Sequence, residues 1–464
     1  CVWGMETGES YLIAALDALF GHRPVTGSLP VSIDSVWNAS QEIKTKAHTQ
    51  SLVWADPETV GFDCDETASL NGILDSIIQN GASQTAQLMV LKNGQVVYNM
   101  SRGMMPDGKT KVSEHSIYDI ASITKVAATT LAVMHVFEKE GLDLNKPIKA
   151  YWPEASGYAW GDVPIRDFLM HRSGLPPYLP LYRDLKKDSF FVLIDSTHQP
   201  GKSDIFWGSD YYLSDHVKDT VWSWIVKTSP KKKKRKTDVQ PYIYSDLNAI
   251  ILAKWVAFRS GKPINELCDS IFYEPMGLFR TGFLPRSRNL ELWTLPTQFD
   301  TATKRGLIWG ETHDPSATFM GGAAGNVGLF SSAYDLSRLM LMITQGGVLD
   351  GKRILEEATI ARFTATVDFG DNHRGLGFDK ANGYPERLKN KDLKGSNLFD
   401  GAPESLFGHA GFTGTWAWGD AKNKLVFVFL SNRTFPNDTV NRLAKEGYRG
   451  KLLEIVYRSL KDDD

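Results

Sequence analysis

Ser122 and Lys125 stand three residues apart in Ile120-Ala121-Ser122-Ile123-Thr124-Lys125, just ahead of an apolar run from Val126 to Phe137. On a helix this spacing puts the hydroxyl and the ammonium on one face, a single turn apart. The ammonium lowers the cost of removing the hydroxyl proton. The helix start offers free N–H groups and a positive dipole end to the anion that forms when the serine attacks a carbonyl. The chemistry this suggests is nucleophilic acyl transfer. A second stretch, Tyr244-Ser245-Asp246-Leu247-Asn248, precedes the apolar segment Ala249 to Val256. A tyrosine at such a loop-to-helix junction is exposed enough to act, and nearby cations favour the phenolate that takes the serine's proton. The third stretch is Gly408-His409-Ala410-Gly411-Phe412-Thr413-Gly414-Thr415. Its glycines let a sheet-edge strand approach a substrate closely, and the N–H of Phe412 is a second oxyanion donor beside that of Ser122. His409 is a candidate to orient a substrate carboxylate or to tune the tyrosine. Taken singly, each stretch also has an ordinary structural reading: a helix-capping serine, a core tyrosine beside a capping Ser245 or Asp246, a structural histidine.

The elements that must hold these residues follow from periodicity. Ala68 to Ile78 has a helical apolar pattern, and Gln87 to Leu91 with Gln95 to Tyr98 reads as a hairpin around Asn93-Gly94. The nucleophile helix comes next. The order differs from the strand, elbow and helix of an α/β-hydrolase, and no Gly-x-Ser-x-Gly is present. Residues 145–280 read as mostly helical, broken by Pro176-Pro177 and Pro180. Glycine-rich turns around Gly321 to Gly325 lead into a helix at Ala333 to Thr344. Two strands, Gly414 to Gly419 and Leu425 to Ser431, and a helix near Val440 to Leu460 close the chain. Strands near both ends imply that the termini meet in one sheet, with the helical middle as a second lobe and a cleft between.

With 464 residues, 42% of them hydrophobic, the chain can bury a large core, and its formal charge of -2 excludes a global pull toward nucleic acid or an anionic membrane. The lysine run Lys231 to Lys236 reads as a solvated loop between helices. Three cysteines, Cys1, Cys64 and Cys268, allow one disulfide at most and no zinc cluster. His135, His171, His313 and His373 have no ligand spacing to one another, so a metal site is not expected. No apolar run is long enough to span a bilayer. The chain opens on cysteine, which implies removal of an upstream segment; membrane attachment would require lipidation of Cys1.

Taken together and in this order, the three stretches resemble the serine β-lactamase and DD-peptidase superfamily, closest to its class C and carboxypeptidase-esterase branch. Tyr118 to Ala121, Leu169-Met170-His171-Arg172-Ser173-Gly174-Leu175-Pro176 and Ala324 to Ser332 agree with it, and the likeness spans roughly residues 65–460. The resemblance implies an α/β (α+β) fold, an antiparallel sheet flanked by helices plus an all-helical lobe, in a hydrolase domain at 61–464. It implies Ser122 as the acylated nucleophile, Lys125 as its partner and Tyr244 as base and then acid, with Asp246, His409, Gly411 and Phe412 facing the substrate and no cofactor. Residues 1–60 form a separate segment and linker. There, Glu9 to Phe20 and Pro24 to Val31 resemble the tail of a family 3 glycoside hydrolase.

Two departures refine the expectation. His409 stands where typical β-lactamases carry lysine, and Asp246 where asparagine is commoner; a carboxylate there disfavours the phenolate and alters recognition of a substrate amide. Both demote penicillin hydrolysis to a side reaction. The expected activity is therefore that of an envelope, periplasmic or secreted serine hydrolase acting on a D-amino-acid peptide or a small ester. Two alternatives stand beside it. One is a catalytically weak accessory module of an upstream glycosidase; the other is a glycosidase built on a carboxylate pair such as Glu311 with Asp314.

Overall fold

The computed structural model describes residues 52–185, 191–193, 205–208, 211–214, 216–231, 240–368, 373–381 and 398–461. The segment at 1–51, with its glycoside-hydrolase-like stretch, and most of the lysine run lie outside them. Residues 55–349 and 353–464 belong to one compact unit, and everything below concerns that unit.

Helix α1, Cys64–Gln79, starts earlier than its apolar pattern because the Asp63 carboxylate accepts from the backbone N–H of Asp65 and Glu66 at 2.9 and 3.1 Å. Strands β1, Ala86–Lys92, and β2, Gln95–Arg102, form the expected hairpin. Asn93 and Gly94 join them with φ of 53° and 80°, the left-handed pair that a two-residue turn needs. A short strand not read from the sequence, β3 at Ile117–Asp119, then leads into the nucleophile turn and helix α2, Leu131–Glu140. Helix α3 is Asp246–Ser260, strand β4 is Leu329–Ser332 and helix α4 is Ala333–Thr344, its Ser332 hydroxyl accepting from the Asp335 N–H. Strands β5, Asp379–Lys380, β6, Leu406–Ala410, β7, Trp416–Asp420, and β8, Leu425–Ser431, precede helix α5, Tyr448–Arg458. The last helix is not continuous from 440, because Gly447 at φ 69° separates a short turn, Arg442–Lys445, from α5.

One antiparallel sheet runs in the order Val367–Asp368, His373–Arg374, β5, β6, β7, β8, β1, β2. The first strands of the described chain thus pair with the last, Ala86 facing Ser431 and Lys92 facing Leu425. All seven residues of β8 are buried, as a strand covered on both faces requires. Leu425, Phe427 and Phe429 join the side chains of α1 and α5 in one cluster with Leu74, Trp416 and Leu452, while Val426 and Val428 point the other way, toward α4. Each such side chain contributes roughly 1.5–3 kcal/mol by leaving water. Among the described residues the longer regular elements in the middle of the chain are helices, but the lobe expected to be all-helical also holds three short paired strands, Phe191–Leu193, Ile205–Phe206 and Tyr211–Leu213. Cys64 and Cys268 are both free thiols. Among the described residues no helix is long and apolar enough to cross a membrane.

Candidate active site

Strand β3 delivers the chain to Ser122 through a strained corner. Ala121 has φ 46°, a left-handed conformation that costs an L-residue about 1–2 kcal/mol. It is held there by its N–H donating to Asp119 Oδ1 at 2.9 Å. Ser122 then lies in a 3-10 turn, Ala121–Ile123, and Lys125 opens a π-helical stretch, Lys125–Thr130, before α2 begins. The regular helix start expected from the spacing is corrected here, for a local reason: threonine side chains compete with the helix ladder. Thr124 Oγ1 donates to Ala121 O at 2.6 Å and accepts from Leu329 N at 3.0 Å; Thr129 Oγ1 donates to Gly325 O at 2.7 Å.

The spacing still brings the two groups together. Lys125 Nζ lies 3.1 Å from Ser122 Oγ, 2.9 Å from the carbonyl oxygen of Asn326 and 2.7 Å from Asp246 Oδ1. The Tyr244 ring centroid is 5.0 Å away. Burial would pull the lysine pKa down, yet the Asp246 charge and Tyr244 outweigh it and hold it above the ordinary value. Lys125 is therefore a fixed cation and hydrogen-bond donor at neutral pH. The acid at 246, which differs from the commoner asparagine, is engaged by that cation. Asn326 reaches Lys125 because Gly325, at φ 89°, lets its loop close on the helices: a Cβ there would meet Ala253 Cβ at 2.4 Å.

Tyr244 is framed by the segment around His171, whose role the sequence reading did not assign. His171 O accepts from Ile243 N at 2.9 Å, its Nδ1 accepts from Ser245 N at 3.1 Å, and Ser245 Oγ donates to Pro176 O at 2.6 Å. Ser173 Oγ donates to Asn248 Oδ1 at 2.5 Å, which turns the Asn248 amide nitrogen toward the same His171 Nδ1, 3.1 Å away. Two donors on Nδ1 make that atom the acceptor, so the ring is neutral and protonated on Nε2. The His171 ring lies 4.4 Å from that of Tyr244, and His409 lies 6.1 Å from it. Desolvation pushes the His171 pKa well below its ordinary value and that of His409 down to about 4. His409 Nδ1 donates to its neighbour's carbonyl, Ala410 O, at 2.8 Å. Of the two tasks expected of His409, holding a carboxylate by charge is not available to a neutral ring. Standing beside the tyrosine is.

Beyond β6 the chain turns sharply and is latched to the nucleophile corner. Thr413 Oγ1 donates to Asp119 O at 2.7 Å and Thr415 Oγ1 to Ile120 O at 3.3 Å. Gly411 has no room for a side chain, since a Cβ would meet Thr415 Oγ1 at 2.1 Å and Ile120 O at 2.5 Å. Phe412, 50% exposed, follows it. Its ring stacks on His313 at 5.4 Å, and the Arg433 guanidinium lies 4.4 Å from its centroid while Arg433 Nε donates to Phe412 O at 2.8 Å. His313 donates its backbone N–H to Asp119 Oδ2 and places Nδ1 against the same oxygen, both at 3.0 Å. Burial lowers the His313 pKa, but the Asp119 charge more than offsets it and the net direction is up.

A cavity of about 540 Å³ opens beside these groups. Asp246, Asn326 and Phe412 are among the residues that line it, with Leu181, Ile225 and Met320 among its apolar ones. The Asn326 amide has neither its oxygen nor its nitrogen bonded among the described residues, although it is fully buried. Asp314, also in the lining, accepts from Ala317 N at 2.9 Å, and Glu311 is paired with Arg286 at 2.6 Å. Both carboxylates of the glycosidase alternative thus already have structural partners. Among the described residues no group of three His, Cys, Asp or Glu is placed to hold a metal.

The chain is similar to known proteins in sequence and in fold. A putative D-alanyl-D-alanine carboxypeptidase of Salmonella gallinarum (strain 287/91 / NCTC 13346) is 27% identical over 455 residues, covering 88% of this chain and 94% of the relative. Among solved structures, a penicillin-binding protein homologue from Caulobacter crescentus superposes with a TM-score of 0.60 at 18% identity, over 86% of this chain and 99% of that one. A family VIII carboxylesterase does so with a TM-score of 0.57 at 17% identity, over 86% and 99%. These two share the mixed fold with its antiparallel sheet and flanking helices. The family model described as Beta-lactamase runs over residues 70–447, from helix α1 to the threshold of α5. It takes in the serine, lysine and tyrosine stretches together, and on that extent the chain belongs to the beta-lactamase family, as a serine hydrolase.

Proposed function

We propose that this chain cleaves a peptide ending in D-amino acids, in the manner of a DD-carboxypeptidase, through an acyl-enzyme on Ser122. The observation that carries the reading is the single ammonium of Lys125 shared by Ser122 Oγ at 3.1 Å and Asp246 at 2.7 Å beneath the Tyr244 ring. Because Asp246 holds Lys125 protonated, the lysine stabilises negative charge and Tyr244 does the proton work. Tyr244, acting as its phenolate, takes the proton from Ser122 Oγ and becomes the phenol as that oxygen bonds to the scissile carbonyl carbon. The N–H groups of Ser122 and Phe412 receive the oxyanion. Collapse expels the leaving amine, which takes the proton back from Tyr244, and water repeats the sequence to release the acid. The name of the Salmonella relative supports the substrate class. A chain acting on such peptides would work in the bacterial envelope or outside the cell, and the glycoside-hydrolase-like stretch before residue 60 would fit a shared role in cell-wall turnover.

The test is direct. A fluorescent penicillin or a phosphonate should add one covalent adduct to the protein, mapped to Ser122. Ser122→Ala should lose the adduct and lower turnover by at least about 10³-fold. Turnover unchanged in Ser122→Ala would end the proposal. The cavity favours a second reading, a small ester with an aliphatic acyl group, because Leu181, Ile225 and Met320 offer such a group an apolar wall. A nitrophenyl ester series that outpaces every D-alanyl peptide would make this the primary activity.

A further inference from the structure

The cavity beside the serine is amphipathic. Leu181, Ile225 and Met320 contribute apolar surface, while the charged residues in its lining are the exposed Arg183 and two acids, Asp246 and Asp314. Asp246 pairs its Oδ1 with Lys125 at 2.7 Å. Asp314 caps the short helix Pro315–Phe319, its Oδ1 accepting from Ala317 N at 2.9 Å. Among the described residues the second oxygen of each acid takes no hydrogen bond, and no cation lies within ion-pair distance of Asp314. Two carboxylates that share one ammonium leave this part of the cavity short of positive charge. Burial raises the pKa of Asp314 and the Asp246 charge raises it further, against the opposing charges of His313 and Lys125.

A second observation is independent of the acids. Asn326 lines the same cavity and is 0% exposed, and neither its amide oxygen nor its amide nitrogen is bonded among the described residues. A buried polar group left unpaired costs roughly 1–3 kcal/mol. The loop cannot withdraw it, because the Asn326 carbonyl accepts from Lys125 at 2.9 Å and Gly325 is packed hard against Ala253. Three acceptor oxygens without donors, one each on Asp246, Asp314 and Asn326, therefore border one space beside aliphatic lining. An ammonium brings three donors and no acceptor, and its methylene stem suits apolar walls. Among the described residues no third His, Cys, Asp or Glu joins the two acids, so a metal ion is the poorer fit.

We infer that Asp314, with Asp246 and Asn326, forms an ammonium subsite for the acyl donor, so that the enzyme selects acyl groups carrying a primary amine on an aliphatic chain. This rests on the acyl-enzyme reading above and deepens it by naming the acyl side of the substrate. Asp246 then bridges two ammonium groups, that of Lys125 and that of the substrate. Asp314 supplies the second counter-charge, and the Asn326 oxygen gains the donor it lacks.

The experiment compares two N-acetylated tripeptides, one with lysyl and one with norleucyl ahead of D-alanyl-D-alanine, which differ only by the side-chain amine. The readout is the ratio of their kcat/KM values, which divides out any loss of folded protein. Wild type should favour the lysyl peptide roughly 10- to 100-fold, mostly through KM. Asp314→Asn keeps a helix-capping side chain and removes the charge, and should bring the ratio close to 1; Asp314→Glu should restore part of it. A wild-type ratio of 1 or below, or Asp314→Asn keeping the full preference, overturns the assignment. Failure here is separable from failure of the parent reading, because Ser122→Ala abolishes turnover of both peptides wherever the amine binds. Where only small esters are turned over, the same ratio is read from the nitrophenyl esters of ω-aminohexanoate and heptanoate.

Discussion

The two walls of the site are built from similar residues and carry opposite electrostatics. On the tyrosine side, His171 and His409 are buried against Tyr244, and desolvation keeps both rings neutral. On the Phe412 side, His313 is just as deeply buried, yet Asp119 at 3.0 Å turns its shift upward, and Arg433 adds a cation. Burial is common to all three histidines, and so is a nearby acid: Asp119 bonds His313 directly, whereas the Asp379 felt by His171 and His409 is paired with Arg374, whose charge opposes it. The comparison teaches that residue type does not set charge here. A histidine becomes a neutral spacer or a partner of a fixed ion according to whether the acid brought to it is free to pair.

Removing the working group of the neutral wall has the largest expected effect. Tyr244→Phe keeps the ring against His171 and deletes the proton carrier, so kcat should fall about 10²- to 10⁴-fold with little change in thermal midpoint. If steady-state kinetics show less than a tenfold loss, the proton passes by another route and the two walls no longer divide the labour. Asp119→Ala attacks the opposite wall. It strips acceptors from the N–H of Ala121 and the N–H and ring of His313, which should cost roughly 3–5 kcal/mol of stability in denaturant titration. A cost below 1 kcal/mol would mean that Asp119 does not hold the strained corner.

The smallest effect sharpens the contrast most, because the two histidines give stability opposite pH slopes. His409 has a folded pKa near 4, below its ordinary 6.5, so the unfolded chain binds the extra proton between those values. Stability on this account is full above pH 6.5 and falls, by up to about 3 kcal/mol, as the pH drops toward 4. The raised pKa of His313 works the other way: its contribution is full below 6.5 and is lost as pH rises through the folded value. Thermal melts from pH 4 to 8 should therefore show a flatter acid limb in His409→Gln and a flatter neutral limb in His313→Gln. Identical limbs in both variants would erase the asymmetry.

Much of the scaffold was legible along the chain. The Asn93-Gly94 pair announced its hairpin, and helix α4 begins and ends at the residues its periodicity marked, Ala333 and Thr344. Helix α1 was read as starting four residues late, although the signal was there: Asp63, capping the helix through its carboxylate, precedes Glu66 by three residues. The three-residue strand before the nucleophile left no trace, because so short a segment has no periodicity to show. Of the site, the three-residue interval between Ser122 and Lys125 was sufficient to place both on one face. His171, Asn326 and Arg433 went unassigned because they act through contacts with residues far away in sequence: Asn326 through a carbonyl on Lys125, Arg433 through the carbonyl of Phe412.

The sequence by itself determined which groups are available: a hydroxyl and an ammonium one turn apart, a phenol at a helix entrance, glycines where a strand must pass close to its neighbour. These follow from local spacing and steric demand, which neighbouring residues settle among themselves. Only the tertiary structure decided their states, that Lys125 is held charged by Asp246, that His409 is neutral and that Arg433 is set against Phe412. Protonation and pairing depend on burial and on charges brought from distant parts of the chain, and those distances exist only once the sheet has closed.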